Sequence, residues 1–213
     1  MNASELWTAW RSHEINFRKT RTDMENPTKS PPFRSYWEAW RDAFVDTFAN
    51  MGLHGDADDA ATICVDDHRS REQFADASPG LAGLADYRLA ILSNADDRFL
   101  HGCIAYNGWA FDTVVSSEQT MAYKPDPRIF ASFCEIAGVE PAHILYVGDS
   151  LYDDVHGAKL AGMQAVLIRR EGEAPPTGIV HPSGQTPPPD EVVLLPPDFE
   201  VPSITELANM LKS

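Results

Sequence analysis

The chain has 213 residues, enough for one hydrophobic core plus a smaller domain, and its 17 Lys+Arg against 32 Asp+Glu give a formal net charge of -15 at pH 7. That balance argues against a nucleic-acid backbone as partner, because tracking phosphates needs basic patches. No segment approaches the roughly 18 apolar residues of a membrane span, and the polar N-terminus does not read as a signal peptide. Three cysteines, Cys64, Cys103 and Cys134, are odd in number and fall within predicted helices. They read as free thiols of a cytoplasmic protein rather than a disulfide framework.

Along the chain, Leu6, Trp7, Trp10 and His13 suggest one amphipathic helix, and Phe33, Trp37, Trp40, Arg41, Phe44 and Phe48 mark a stronger one. Asn26-Pro27 and Ser30-Pro31-Pro32 separate them, and Gly52 closes the second. A third helix is predicted from about Asp58 to Gln73, with Asp56, Asp58 and Asp59 at its start, where acids are favoured. Tryptophans three apart on a helix belong to a core more often than to a stacking surface. Residues 1–77 are therefore expected to form an all-helical subdomain.

From Ser78-Pro79-Gly80 onward the pattern changes. A short helix with Leu81 and Leu84 leads into apolar runs at 88–92, 111–115, 144–147 and 165–168, each followed by a polar or helical segment. Strands alternating with helices at this spacing imply right-handed βαβ units and a parallel sheet, so residues 78–213 read as an α/β core. The stretch 171–190 is rich in Pro, Gly and Thr and is expected to be a mobile loop. An edge strand at 192–195 and a closing helix at 204–211 are expected after it.

Chemistry gathers at three strand ends. Ser93-Asn94-Ala95-Asp96-Asp97 follows the first run, and a hydroxyl and an amide there can hold an anionic oxygen, although Asp96 is also placed to cap the next helix. In Tyr123-Lys124-Pro125-Asp126-Pro127, Pro125 keeps Lys124 out of helical geometry, Asp126 is a good N-cap and Pro127 suits the first helical position. Lys124 is thus presented from a fixed turn. Gly148-Asp149-Ser150 closes the third run and is followed by Asp153-Asp154. Carboxylates at the C-terminal mouth of a parallel sheet suit a hard cation such as Mg²⁺. Ser150 and Asp153 are spaced like a capping box, which assigns Asp153 mainly to the helix start.

In this order, the Leu92-Ser93-Asn94, Lys124-Pro125-Asp126-Pro127 and Gly148-Asp149-Ser150 to Asp154 segments resemble motifs two, three and four of the haloacid dehalogenase-like hydrolase superfamily. The resemblance covers about residues 78–170. It implies a Rossmann-like core with a helical cap, a Mg²⁺-dependent site, and chemistry through an aspartyl-enzyme intermediate. By the same resemblance Ser93 would bind the transferred group with Asn94 beside it, Lys124 would pair with the nucleophile and the anionic substrate, and Asp149 and Asp154 would hold the metal.

The family's first motif, an apolar strand followed by Asp-x-Asp, has no match at Met1-Asn2-Ala3-Ser4-Glu5-Leu6-Trp7. Asp56-Ala57-Asp58 has the spacing without the strand, and the short apolar lead to Asp66 has His68 where the second aspartate belongs. In the family that strand lies mid-sheet, between the strands expected at 88–92 and 144–147. A nucleophile upstream of Met1, absent from the chain as given and leaving it inactive, is therefore expected. The acids at 149 and 154 favour a phosphatase acting on a small phosphorylated metabolite. The alternatives are a 2-haloacid dehalogenase, which needs no metal, and a non-catalytic phosphate-binding protein. The expected partner is a small anionic molecule, phosphorylated or a halogenated acid, with the chain itself a monomer or homodimer.

Overall fold

The computed structural model describes residues 3–23, 26–170 and 193–212. Helices α1 (Ala3–Thr20), α2 (Tyr36–Met51), α3 (Ala57–His68) and α4 (Ala77–Gly83) come first. Strands and helices then alternate through β1 (Ala90–Ser93), α5 (Asp97–Asn107), β2 (Thr113–Ser116), α6 (Ser117–Thr120), α7 (Pro127–Ala137) and β3 (Leu145–Gly148). A π-helical segment (Leu151–His156) runs into α8 (Gly157–Leu160), followed by β4 (Gln164–Ile168), β5 (Phe199–Val201) and α9 (Ile204–Lys212). No helix among the described residues is long and apolar enough to cross a membrane.

Helix ends follow the chemistry of their sequences. Ser35 and Glu38 form a reciprocal capping box at the start of α2, and Gly52 ends that helix in the left-handed conformation at φ 62°, which a missing Cβ permits. Asp56 accepts from the Asp58 and Asp59 amides, and Asp126 from the Arg128 amide with Pro127 at the first helical turn. Helix α3 stops at His68, short of the predicted Gln73, because the Arg69 and Ser70 amides turn back onto the Asp66 and Asp67 carbonyls three residues earlier.

The fold is mixed α/β with parallel strand pairing throughout. Strands β1 and β2 pair from Ala90 opposite Thr113 to Ser93 opposite Ser116, and β4 lies between β3 and β5 in a second sheet. Among the described residues no strand lies between β1 and β3. The edge strand expected at 192–195 is instead β5 at Phe199–Val201. Pro196 and Pro197 have no amide to donate to a ladder, and the Leu195 amide donates to His156 Nδ1 at 3.0 Å. Val192 and the predicted loop at 171–190 lie outside the described residues.

Three apolar clusters hold the molecule together. Leu92, Val115, Ile129, Phe130, Val155 and Ala165 are among those that fill the space between sheets and helices. Val166, Ile168, Val201 and Leu207 pack the other face of β4 against α9. Trp10, Tyr36, Trp40, Phe44 and Val65 form the interior of the helical part, joined by Tyr123 from the turn before α7. Trp10 and Trp40 are thus interior residues, as their spacing suggests, whereas Trp7 stays 47% exposed. Phe130 is fully buried and lies edge-on to Tyr146, with ring centroids 5.6 Å apart. Phe130→Ala should lower the unfolding free energy by about 3–5 kcal/mol, read by urea denaturation, with the spread set by how far the walls collapse.

Candidate functional site

Lys124 stands at the centre. Its backbone is fixed by Asn94, whose amide oxygen accepts from the Lys124 amide at 2.8 Å and whose amide nitrogen donates to the Lys124 carbonyl at 3.3 Å. With its backbone held, the side chain runs inward and is only 10% exposed. Nζ donates to Asp154 Oδ1 at 2.5 Å, to the Tyr146 hydroxyl at 2.9 Å and to the Leu92 carbonyl at 3.3 Å. Burial disfavours the ammonium, but the Asp154 charge and the Tyr146 and Asp154 hydrogen bonds outweigh it, so its pKa lies above the ordinary lysine value.

Asp154 answers from the π-helical segment after β3. Its second oxygen accepts from the Ser150 amide at 3.0 Å, and Oδ1 also accepts from the Tyr146 hydroxyl at 3.2 Å. Gly148 makes room for it, since a Cβ there would collide with the Asp154 carboxylate. The Tyr146 hydroxyl also lies 3.2 Å from the Leu92 carbonyl, so side chains bridge the end strands of the two sheets.

Asp153 is only partly what its spacing suggests. Ser150 Oγ does accept from the Asp153 amide at 3.0 Å, but the Asp153 carboxylate lies 3.4 Å from the Arg21 guanidinium, just beyond α1. Burial raises its pKa against the pull of that arginine. Arg21 itself sits 4.4 Å from the Tyr123 ring centroid and donates to the Tyr36 hydroxyl. Asp149 is exposed at the end of β3.

The predicted set therefore converges in part. Lys124 and Asp154 touch, and Ser93 is flanked by Leu92 and Asn94, both bonded to Lys124. Asp149 precedes Ser150, whose amide holds Asp154. As a Mg²⁺ centre the described residues do not fit. Both Asp154 oxygens are engaged by Lys124, Tyr146 and Ser150, and among the described residues no group of three or more His, Cys, Asp or Glu could hold a metal ion. Asn94, expected to touch substrate, commits both ends of its amide to the Lys124 backbone.

Asp96 departs furthest from its sequence reading. It occupies the N-cap position of α5 without making a side-chain cap there. Its two oxygens accept from the Tyr36 and Trp37 amides of α2, each at 2.8 Å. The displaced nucleophile candidates lie elsewhere: Asp56 caps α3, and Asp66 pairs with Arg98 at 2.9 Å.

Sequence reasoning missed Tyr146, Arg21 and Asp96 as parts of this arrangement. Tyr146 was concealed within an apolar run, yet a tyrosine in a buried strand needs a partner for its hydroxyl, and that was the available signal. No comparable signal pointed to Arg21.

The family model described as haloacid dehalogenase-like hydrolase matches residues 46–168. The (S)-2-haloacid dehalogenase of Xanthobacter autotrophicus is 29% identical over 215 residues, taking in 95% of this chain and 81% of that protein. A solved structure of the L-2-haloacid dehalogenase from Xanthobacter autotrophicus with chloropropionic acid covalently bound has a TM-score of 0.72 at 26% identity, covering 98% of this chain and 86% of that one. The glyceraldehyde 3-phosphate phosphatase of Methanopyrus kandleri is 47% identical over 60 residues, 28% of this chain and 26% of that protein.

Two measurements check the electrostatics. Lys124→Met should destabilise the fold by about 3–5 kcal/mol by leaving Asp154 uncompensated, and adding Asp154→Leu should restore most of that loss in a double-mutant cycle. Burial outweighs the two α2 amides and, with Glu118 and Glu38 nearby, pushes the Asp96 carboxyl up to about 6. A folded-state value above the unfolded one, about 3.9, stabilises the fold at low pH and is lost as pH rises through the folded value. Asp96→Asn, neutral throughout, should therefore gain about 2–3 kcal/mol relative to the parent between pH 4 and pH 7, whatever its constant offset.

Proposed function

Because this chain belongs to the haloacid dehalogenase-like hydrolases, we propose that it serves a hydrolase acting on a small 2-halocarboxylic acid, with Lys124 as the cation that meets both nucleophile and substrate. The observation that carries this reading is the buried Lys124 ammonium, aimed at Asp154 and Tyr146 beside the end of β1. A fixed positive charge there favours an attacking carboxylate and a leaving halide alike. In this reading Ser93, at the same strand end, binds the substrate carboxylate, and Asn94 holds the Lys124 backbone.

The reaction proceeds in two displacements. A carboxylate oxygen bonds to C2 as the carbon–halogen bond breaks and halide leaves; water then attacks the ester carbonyl, releasing the 2-hydroxy acid and regenerating the carboxylate. We place the attacking aspartate on a strand between β1 and β3, outside the described residues. The placement rests on the family resemblance, whose first strand lies mid-sheet; the bonds from Lys124 and Tyr146 to the Leu92 carbonyl span the same interval and would have to yield to it.

This reverses the order drawn from the acids alone, which ranked a Mg²⁺-dependent phosphatase first. Likeness to the Xanthobacter dehalogenase runs over 95% of the chain, and to its solved structure over 98% at a TM-score of 0.72, whereas likeness to phosphatases runs over 28% and 60% of the chain in sequence and over 79% in structure at a TM-score of 0.52. The engagement of Asp154 by Lys124 also supports a reaction that needs no metal. The phosphatase remains the second reading on 47% identity over 60 residues with the Methanopyrus enzyme and 30% identity over 135 residues with the N-acylneuraminate-9-phosphatase of Mus musculus.

A chain carrying an apolar Asp-x-Asp strand ahead of Ala3 should release chloride from 2-chloropropionate, unaffected by EDTA, and Lys124→Met should lower that rate at least about 100-fold. Phosphate release from glyceraldehyde 3-phosphate, abolished by EDTA and without chloride release, would establish the second reading instead.

A further inference from the structure

We propose that Asp96 is a positioning residue that docks the helical part of the chain against the core beside Lys124; this rests on Lys124 marking the substrate site. The carboxylate is 3% exposed and acts across 60 residues of sequence, one oxygen on the Tyr36 amide and the other on the Trp37 amide. These are the first two amides of α2, which the local cap leaves unserved, since Ser35 takes the Glu38 amide. The core thus supplies α2 with a second, anionic cap, favoured by the positive end of the helix.

The surrounding loop is arranged to release Asp96 for this purpose. The Asp97 amide of α5 donates to Glu118 at 2.7 Å, and the Ala95 amide to Ser117 Oγ at 3.0 Å. Two residues before Asp96, Asn94 clamps Lys124. One short loop therefore fixes the pocket's cation on one side and the start of α2 on the other.

What Asp96 holds also contacts the neighbours of Lys124 and Asp154. The Tyr36 ring lies 5.6 Å from that of Tyr123, the neighbour of Lys124. The Tyr36 hydroxyl accepts from Arg21, which in turn lies 3.4 Å from Asp153 in the segment that carries Asp154. Burial beside Glu118 and Glu38 disfavours this carboxylate, and the two α2 amides it accepts from are the contacts that tie it to the helical part.

Amide hydrogen exchange at Tyr36 and Trp37, together with calorimetric binding of 2-chloropropionate and of inorganic phosphate, tests the proposal on the chain as it stands. Asp96→Ala should lower protection of those two amides about tenfold or more and weaken the bound anion about 5- to 10-fold, though Asp96 touches neither Ser93 nor Lys124. Asp96→Asn, which keeps one oxygen, should recover most of both effects and carries the comparison if the alanine variant does not fold. Ser35→Ala removes the local cap alone and should leave anion affinity within about twofold.

Unchanged protection in Asp96→Ala overturns the docking contact. Lost protection with unchanged affinity, or an equal loss of affinity in Ser35→Ala, reduces Asp96 to ordinary helix support and overturns the positioning role. Should the parent chain bind neither probe, the proposed substrate site fails, while the exchange pattern still decides whether Asp96 docks α2.

Discussion

The buried pair of Lys124 and Asp154 is the constraint around which the rest is organised. An ammonium and a carboxylate removed from water are tolerated only when each finds further partners, and here Tyr146, the Leu92 carbonyl and the Ser150 amide complete the set. Those partners come from β1, β3 and the turn after β3. Forming the pair therefore registers one sheet against the other before any substrate is considered. Gly148 is part of the same requirement, because Asp154 occupies the volume a side chain would take.

Much of the core was readable because it obeys local rules. Four apolar runs became four parallel strands, and Asp126 with Pro127 began α7 where expected. Two of the failures share a cause. Asp96 has every local attribute of a cap for α5, and only the approach of α2 from 60 residues away diverts it. Asp153 looked like half of a capping box until Arg21 entered from the first helix. The strand misplaced to 192–195 obeyed apolar patterning but ignored two prolines that follow. Long-range partners outrank local propensity wherever a charged group is buried, because leaving it alone costs more than any cap contributes.

The candidate site was half legible. Lys124 and Asp154 were identified from motif spacing and do meet, whereas Asp149 stays exposed and the Asn94 amide is hydrogen-bonded to the backbone of Lys124. Spacing along a chain predicts which residues arrive at a strand end, but not which neighbour each then chooses. Competition for Asp154 illustrates the point: a lysine already fixed by an asparagine reaches it from within the protein.

Tyr123 carries a consequence for how the two parts relate. It belongs by sequence to the turn before α7, yet its ring is stacked on Phe33 at 4.9 Å and sits edge-on to Phe17 and Tyr36. Its hydroxyl donates to the Arg34 carbonyl at 2.8 Å. The helices at the start of the chain thus complete their aromatic interior with a borrowed ring. Cut away and expressed alone, they would carry a tyrosine-sized hole at their centre. Swinging them outward would wet the same faces, so any opening between the two parts must first expose this ring.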